Sequence, residues 1–531
     1  MMALCLLVIY RIGTSAEVTD PQAAANQQFL IRLTQDISVT QIGRLQKELG
    51  IPLLQPMDLS KGRARTLWGN APGYSKELLD RLRRDERVAT LTDIQDETHL
   101  HLFDVTPIDV PIDAREVLER VKTLHFATQT QVVKLTNDNL RERAAFGLDL
   151  LADKRLIAVR GQVLEPSYAK GGFMWSGDVF SLSQLEKHGI PAQVGTISIS
   201  TKGNALFGRV TVGGNVYILT NLPTKSTTSD LYAIVKVASR KLPPDHAVAS
   251  GLRAATLNQS CVPEGRRLPK RAQTENLSCV PDVRTLGTSL PPLQAPRPRA
   301  PAAASDERGV IEVAVGVGIT RVALSTLDPS DKDFFVQALL DRANDSFLRS
   351  GVKLKLSLAG NEARVLEEYV EGTFKSDLGK LINSPDEPFA GIRRWREEVK
   401  ADVIVIVASP HSACGLGSGV MASAETAFAI VSSDCAITKL SFAHEVGHLL
   451  GANHNPEVGD SDRSYRPYGN GYMTQHWRTV MAYDAGCDCA RLPLWSNPDI
   501  EFGGIQMGTT TKHNNARVIN EEGALAVSAF R

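Results

Sequence analysis

Residues 444–454 read His-Glu-Val-Gly-His-Leu-Leu-Gly-Ala-Asn-His, and no other stretch of the chain restricts its fold so tightly. On a helix, His444 and His448 project from one face a turn apart, so two imidazoles can grip one metal ion. Glu445 stands beside them, placed to hold a water rather than the metal. His454 comes too late to reach the same ion if the helix runs straight. Gly451 solves this, because a glycine can take positive φ, end the helix and turn the chain back. Three neutral nitrogen ligands leave a fourth position open, which is the arrangement of a catalytic zinc rather than a closed structural one. With 11 His in 531 residues, the full pattern arises by chance in roughly two chains per 100,000, so an ordinary surface helix with two histidines is a poor account of it.

The cassette is similar to the signature of the metzincin peptidases. Downstream, Thr479-Val480-Met481-Ala482-Tyr483 resembles their Met-turn; Met473 lacks the Met-x-Tyr context. Phe442-Ala443, Trp495-Ser496-Asn497-Pro498 and Asn514-Asn515-Ala516 resemble reprolysin-like and peptidyl-Asp-type bacterial metalloendopeptidases. The resemblance covers 308–531 well and the preceding region weakly. One departure is Asn455, where many members carry Asp; a hydrogen bond near the third ligand differs, but the ligand set does not. The resemblance implies an α/β chain, with an α+β metzincin catalytic domain whose mixed sheet is mostly parallel and whose active-site helix carries His444, His448 and Glu445. It implies one catalytic zinc ion and a secreted zinc-dependent metalloendopeptidase, made as a zymogen, in which Glu445 is the general base. Tyr483 is either an oxyanion stabiliser or a packed turn residue. Two other readings stay open: an inactive zinc-binding precursor or binding protein, and a metal-dependent hydrolase of non-peptide amides. The pocket wall after the Met-turn, roughly 484–497, sets cleavage preference.

The rest of the chain reads as what precedes such a domain. Ala3–Tyr10 is apolar but far too short to span a bilayer. It fits the core of a signal peptide, with Thr14-Ser15-Ala16 as a small-residue cleavage site, so 1–16 is a leader and the protein is secreted or periplasmic. Residues 17–104 form a small α+β prodomain: strands near Gln28–Leu33, Ala64–Trp68 and Val88–Leu91 alternate with helices at Val39–Leu49 and Ser75–Arg84. Residues 105–250 are a β-rich propeptide domain, with alternating strands such as Leu156–Val163, Val194–Ser200, Ala205–Val212 and Asn215–Thr220 between Gly and Asn turns. Its run Arg209–Leu219 resembles propeptides of reprolysin-like bacterial peptidases. The prodomain is expected to be the enzyme's own intramolecular inhibitor. Residues 251–307 are a Pro-rich linker, with dibasic pairs Arg266-Arg267 and Lys270-Arg271 open to proteolytic processing. In 308–531, strands Val310–Val317, Val352–Ala359 and Asp402–Val407 alternate with helices at 332–350 and ending near Lys400, the pattern of a mostly parallel sheet.

Charge and cysteines narrow the partners. The 59 basic and 59 acidic residues cancel, which argues against a nucleic-acid partner. Protein or peptide substrates are expected, with no stable membrane span. Outside the leader lie Cys261, Cys279, Cys414, Cys435, Cys487 and Cys489, an even set that suits disulfides in an exported chain. By resemblance and spacing, Cys414 pairs with Cys435. Cys487 and Cys489 are expected to be too close to bridge each other. Cys279-Val280-Pro281-Asp282 is similar to the cysteine-switch segment of matrix metallopeptidase precursors, without its glycine. Cys279 is therefore either a thiolate on the fourth zinc position or the partner of Cys261 in a linker disulfide.

Overall fold

The computed structural model describes residues 27–245 and 309–530, apart from 58–62, 72–75, 95–100, 137–138, 152, 165–170, 184–191, 223–230, 328–330, 459–464, 485 and 488. The leader and the linker with Cys261, Cys279 and the dibasic pairs lie outside the described residues. The chain divides into two compact units, one of residues 1–241 with 472–514 and one of 242–471 with 515–531. Among the described residues, no helix is long and apolar enough to cross a membrane.

The first unit opens with an antiparallel sheet ordered β2-β3-β1-β4, from β1 (Gln27–Ser38), β2 (Leu53–Pro56), β3 (Arg63–Ala71) and β4 (Val88–Asp93). β2 adds a strand to the three read from sequence. Ser38 and Gln41 exchange side-chain and backbone hydrogen bonds in a capping box, which starts the helix Val39–Leu49. Gly50, at φ 66°, ends it. This helix and Lys76–Arg84 lay Ile42, Leu45, Leu49, Leu79 and Leu82 against Phe29, Ile31 and Leu33.

A nine-stranded antiparallel sheet follows, from β5 (Phe103–Asp104) and β6 (Ala127–Leu135) through β7 (Ala145–Leu150), β8 (Asp153–Leu164), β9 (Gly172–Ser181), β10 (Ala192–Lys202), β11 (Ala205–Val212), β12 (Asn215–Asn221) and β13 (Leu231–Val237). Its order is β5-β6-β13-β12-β11-β10-β9-β8-β7, so β7 to β13 form a meander. Gly213 and Gly214, both at positive φ, make the two-residue β11–β12 turn that a tight hairpin needs. Phe146, Trp175 and Tyr217 fill its core. Residues 472–514 of the same unit contribute short pieces: Trp477–Arg478 paired with Ala490–Arg491, and the hairpin Asn497–Phe502/Ile505–Met507. They are held to the nine-stranded sheet by Arg209 Nη2 donating to Arg491 O at 2.9 Å, and by Gly503 N–H donating to Gln193 Oε1 at 2.8 Å.

The second unit is built on β14 (Ile311–Thr320), β15 (Leu354–Leu358), β16 (Arg364–Leu366), β17 (Val403–Ala408), β18 (Gly415–Gly417) and β19 (Phe428–Ser432). The path β15-β14-β17-β19 is parallel, β16 pairs with the far end of β14, and β18 closes the edge antiparallel to β19. β17 is fully buried along its length, as a central parallel strand must be. Helices Phe374–Asn383 and Phe389–Glu398 cover one face through Leu378, Leu381, Ile392 and Trp395. After β19 come the helix Ser433–Thr438 and the helix Ser441–Leu449, separated by Leu440 in a left-handed conformation.

Candidate metal centre

Every residue of the helix Ser441–Leu449 is buried, including His444, Glu445 and His448. A helix that carries such groups into a core without a solvated face is not explained by packing alone. The helix stops where the cassette predicts. Gly451 sits at φ 88°, its N–H bonds to His448 O, and Ala452 N–H bonds back to Gly447 O, closing the end through backbone groups. A Cβ at Gly451 would lie 2.9 Å from Met421 Cε, so space as well as backbone conformation demands glycine there.

The reversed chain is then pinned. Asn453 N–H donates to Gly469 O and its carbonyl accepts from Gly471 N–H, both at 2.8 Å. Asn515 Nδ2 donates to Gly469 O at 2.7 Å, bracing the same pair of strands from the C-terminal segment. Glu522 takes a two-point hydrogen bond from Arg466 and one from Tyr465 Oη, which ties the 465–468 loop to the chain's last helices. Arg466 beside it holds the Glu522 carboxyl below the usual range.

These constraints bring His444, His448 and His454 together. Each offers one nitrogen, and these atoms lie within 4.8 Å of one another. Ring centroids are 4.8 Å apart for His444–His448, 5.3 Å for His444–His454 and 4.5 Å for His448–His454. His448 Nδ1 lies 2.9 Å from Ala452 O, so with its proton there it donates and leaves Nε2 for a metal. Three buried, convergent imidazoles fit a zinc ion in donor type and number.

Glu445 is wholly buried and faces the edge strand. A Cβ on Gly415 would stand 2.4 Å from Glu445 Oε1, and one on Gly417 would stand 3.5 Å from Oε2 and 3.4 Å from His448 Cβ. The two glycines therefore let β18 run against the carboxylate. Sequence reading passed over both; the signal was a Gly-Leu-Gly triplet after a cysteine, too short for any periodicity. Ahead of β18, Glu371 anchors the loop. It accepts from Ser409 N–H at 3.0 Å and from the hydroxyls of Ser409 and Thr320, with His411 Nε2 at 3.5 Å. Burial pushes the Glu371 carboxyl up, but the hydrogen bonds from Ser409 and Thr320 outweigh it and leave it below the usual range.

Cys414 and Cys435 are joined, Cα–Cα 5.2 Å, which ties the start of β18 to the helix preceding the cassette. Cys487 and Cys489 are also joined to each other, against the expectation that they are too close. An extended chain would hold alternate Cα atoms at about 6.6 Å; here they are drawn in to 5.0 Å, well within disulfide reach.

Met481 and Tyr483 belong to the other unit. Met481 is completely buried, in a turn closed by Ala482 N–H donating to Thr479 O at 3.1 Å. The Ala482 carbonyl accepts from two buried guanidiniums, Arg478 Nη1 at 2.9 Å and Arg491 Nη2 at 3.1 Å. Neither arginine stood out in the sequence. Tyr483 is half-buried.

Residues 329–496 match the Reprolysin_5 profile, described as Metallo-peptidase family M12. Two proteins from strains of Stenotrophomonas maltophilia, each named peptidyl-Asp metalloendopeptidase, are 29% and 30% identical to this chain over 397 residues, covering 72% of this chain and 82% of theirs. A protein of the same name from Xanthomonas campestris is 40% identical over 197 residues, covering 37% of this chain and 46% of its own length.

Proposed function

Since the chain belongs to the family of bacterial peptidyl-Asp metalloendopeptidases, we propose that it is a secreted precursor of a zinc endopeptidase that cleaves peptide chains beside aspartate, with His444, His448 and His454 as the metal ligands and Glu445 as general base. The observation that carries this reading is the convergence of three buried imidazoles next to a buried carboxylate that lies along an edge strand.

When bound, a zinc ion supplies Lewis acidity, making a water more acidic and polarising the scissile carbonyl. The remaining work belongs to the chain. His448, fixed by its Nδ1 contact to Ala452 O, presents Nε2 inward. The antiparallel edge strand β18 offers main-chain groups along which an extended substrate can pair. Glu445 takes a proton from the attacking water and delivers it to the leaving nitrogen, so one water is added across the peptide bond and an acid and an amine are released. The Tyr483 hydroxyl donates to the scissile carbonyl oxygen as it gains negative charge. The region ahead of the linker keeps the precursor silent, and Cys279 supplies a thiolate toward the metal until the linker is cut. Thiol titration of the intact precursor tests this last point: Cys261 and Cys279 joined as a disulfide would exclude it.

The decisive measurement is cleavage of aspartate-containing peptides by the zinc-loaded chain after its linker has been cut, with and without chelator. Glu445→Gln is expected to lower turnover by at least about 1,000-fold while zinc content stays at one ion per chain. Retained turnover in that variant would overturn the mechanism. Tyr483→Phe is expected to cost about 10-fold or more in turnover; an unchanged rate would remove its role.

A further inference from the structure

The pro-region ends its described course in the second unit. Residues 242–245 follow the last strand of the nine-stranded sheet and lie at the start of β18. Pro244 O accepts the Cys414 N–H at 2.8 Å. Cys414 directly precedes Gly415, the residue whose Cα faces the Glu445 carboxylate. One main-chain bond of this segment thus reaches the residue just before β18, whose carbonyl accepts the Ser432 N–H of β19.

The next contact is ionic and buried. Lys439 Nζ donates to Pro243 O at 2.7 Å and stands 3.5 Å from the Asp245 carboxylate. Side-chain exposure is 10% for Lys439 and 9% for Asp245. Lys439 sits between the helix Ser433–Thr438 and the helix that carries the cassette. The Cys414–Cys435 bond joins the former helix to the β18 end, so the ammonium and the Cys414 N–H are held in one cross-linked frame. A recognition pair of this kind, one main-chain donor plus one shielded ammonium, fits an extended peptide bearing a carboxylate side chain. An ammonium this shielded favours a carboxylate beside it. When the pro-segment departs, the chemically matched replacement is another carboxylate.

We propose that Lys439 reads the acidic side chain of substrates, and that in the precursor Asp245 occupies its place, making Pro243-Pro244-Asp245 an internal stand-in for substrate. This rests on the peptidase reading above and adds to it the residue that confers acid preference and the segment that blocks it. On this reading Lys439, rather than the wall at roughly 484–497 expected from the sequence or the arginines around Ala482, carries the selectivity.

The test uses the zinc-loaded full-length chain carrying Cys279→Ser as parent, so that no linker thiol blocks the metal, and two fluorogenic peptides identical except for one Asp or Asn. Asp245→Ala is expected to raise the initial rate on the Asp peptide by at least about 10-fold over the parent chain, by vacating the site. In that background the Asp/Asn rate ratio should be about 100, and adding Lys439→Met should bring it to near 1, mainly by slowing the Asp peptide. Lys439→Arg should keep most of the preference. Circular dichroism and zinc content establish that the Met variant is folded and loaded. A folded Lys439→Met variant with the ratio unchanged would overturn the assignment of Lys439, and an Asp245→Ala chain no faster than the parent would overturn the blocking role. Cleavage of neither peptide by any variant would defeat the peptidase reading itself, and this proposal with it.

Discussion

The helix Ser441–Leu449 and the segment 472–514 reach burial by opposite routes. The helix is regular, and its end is closed by its own backbone through Gly451. Its neighbours need only leave it room, as Gly415 and Gly417 do. The segment 472–514 has almost no regular structure: a pair of two-residue strands and one short hairpin. Its shape is imposed by side chains that reach across, above all Arg478 and Arg491 on the Ala482 carbonyl and Arg209 on the carbonyl of Arg491. Local periodicity builds the first region and long-range hydrogen bonds build the second. A change inside the first should therefore act on chemistry while the fold survives, and a change in the second should act on stability first.

Gly415→Ala is the sharpest way to press on this contrast. The added methyl cannot coexist with Glu445 Oε1 at 2.4 Å. Displacing Glu445, the proposed base, by about 1 Å is expected to lower turnover by about 100-fold, while the melting temperature moves little; a variant with full turnover would mean that Glu445 does not depend on the edge strand. Arg491→Met should do the reverse. Losing the hydrogen bond to Ala482 O within a buried cluster is expected to cost about 2 kcal/mol of stability, read by denaturant midpoint. No loss of stability there would show that the segment is not held by its arginines.

Gly451→Ala lies between the two. It strains a φ of 88° and crowds Met421, so about 1–2 kcal/mol of destabilisation is expected, accompanied by weaker zinc retention in a chelator competition. Normal zinc retention would mean that the chain can deliver His454 by another path. Glu371 gives the smallest effect and a sign that can be checked. Its carboxyl is held below the usual range in the folded state. The stability it contributes is complete above the ordinary glutamate range and fades as pH falls through its lowered folded value. The melting temperatures of Glu371→Gln and the parent chain should therefore differ at neutral pH and converge in acid; a gap that widens in acid would reverse the assignment.

These contrasts also explain which elements could be read in advance. Asp402–Val407 is nearly all apolar, and the structure has the buried strand Val403–Ala408. The helix read at 332–350 spans Lys332–Arg349, started by Asp331 accepting the N–H groups of Asp333 and Phe334. Such segments declare themselves because their hydrophobic pattern and caps are local. β18 could not be read, being three residues with two glycines whose identity is explained only by Glu445 coming from another element. β2 was missed for a similar reason: four residues carry too little alternation to outweigh a loop. The Cys487–Cys489 pairing depended on a local contraction of the backbone that spacing does not reveal.

By itself, the sequence marked out the three histidines proposed as metal ligands, the glycine that turns the third one back and the carboxylate beside them, because an eleven-residue cassette on one helix end carries its own geometry. Only the tertiary structure decided what surrounds it: that β18 runs against Glu445, that residues 472–514 cluster with the nine-stranded sheet, and that Asp245 meets Lys439 across nearly 200 residues of chain. Backbone preferences act over a few residues, whereas these contacts are selected by burial and charge pairing among segments that become neighbours only when the chain folds.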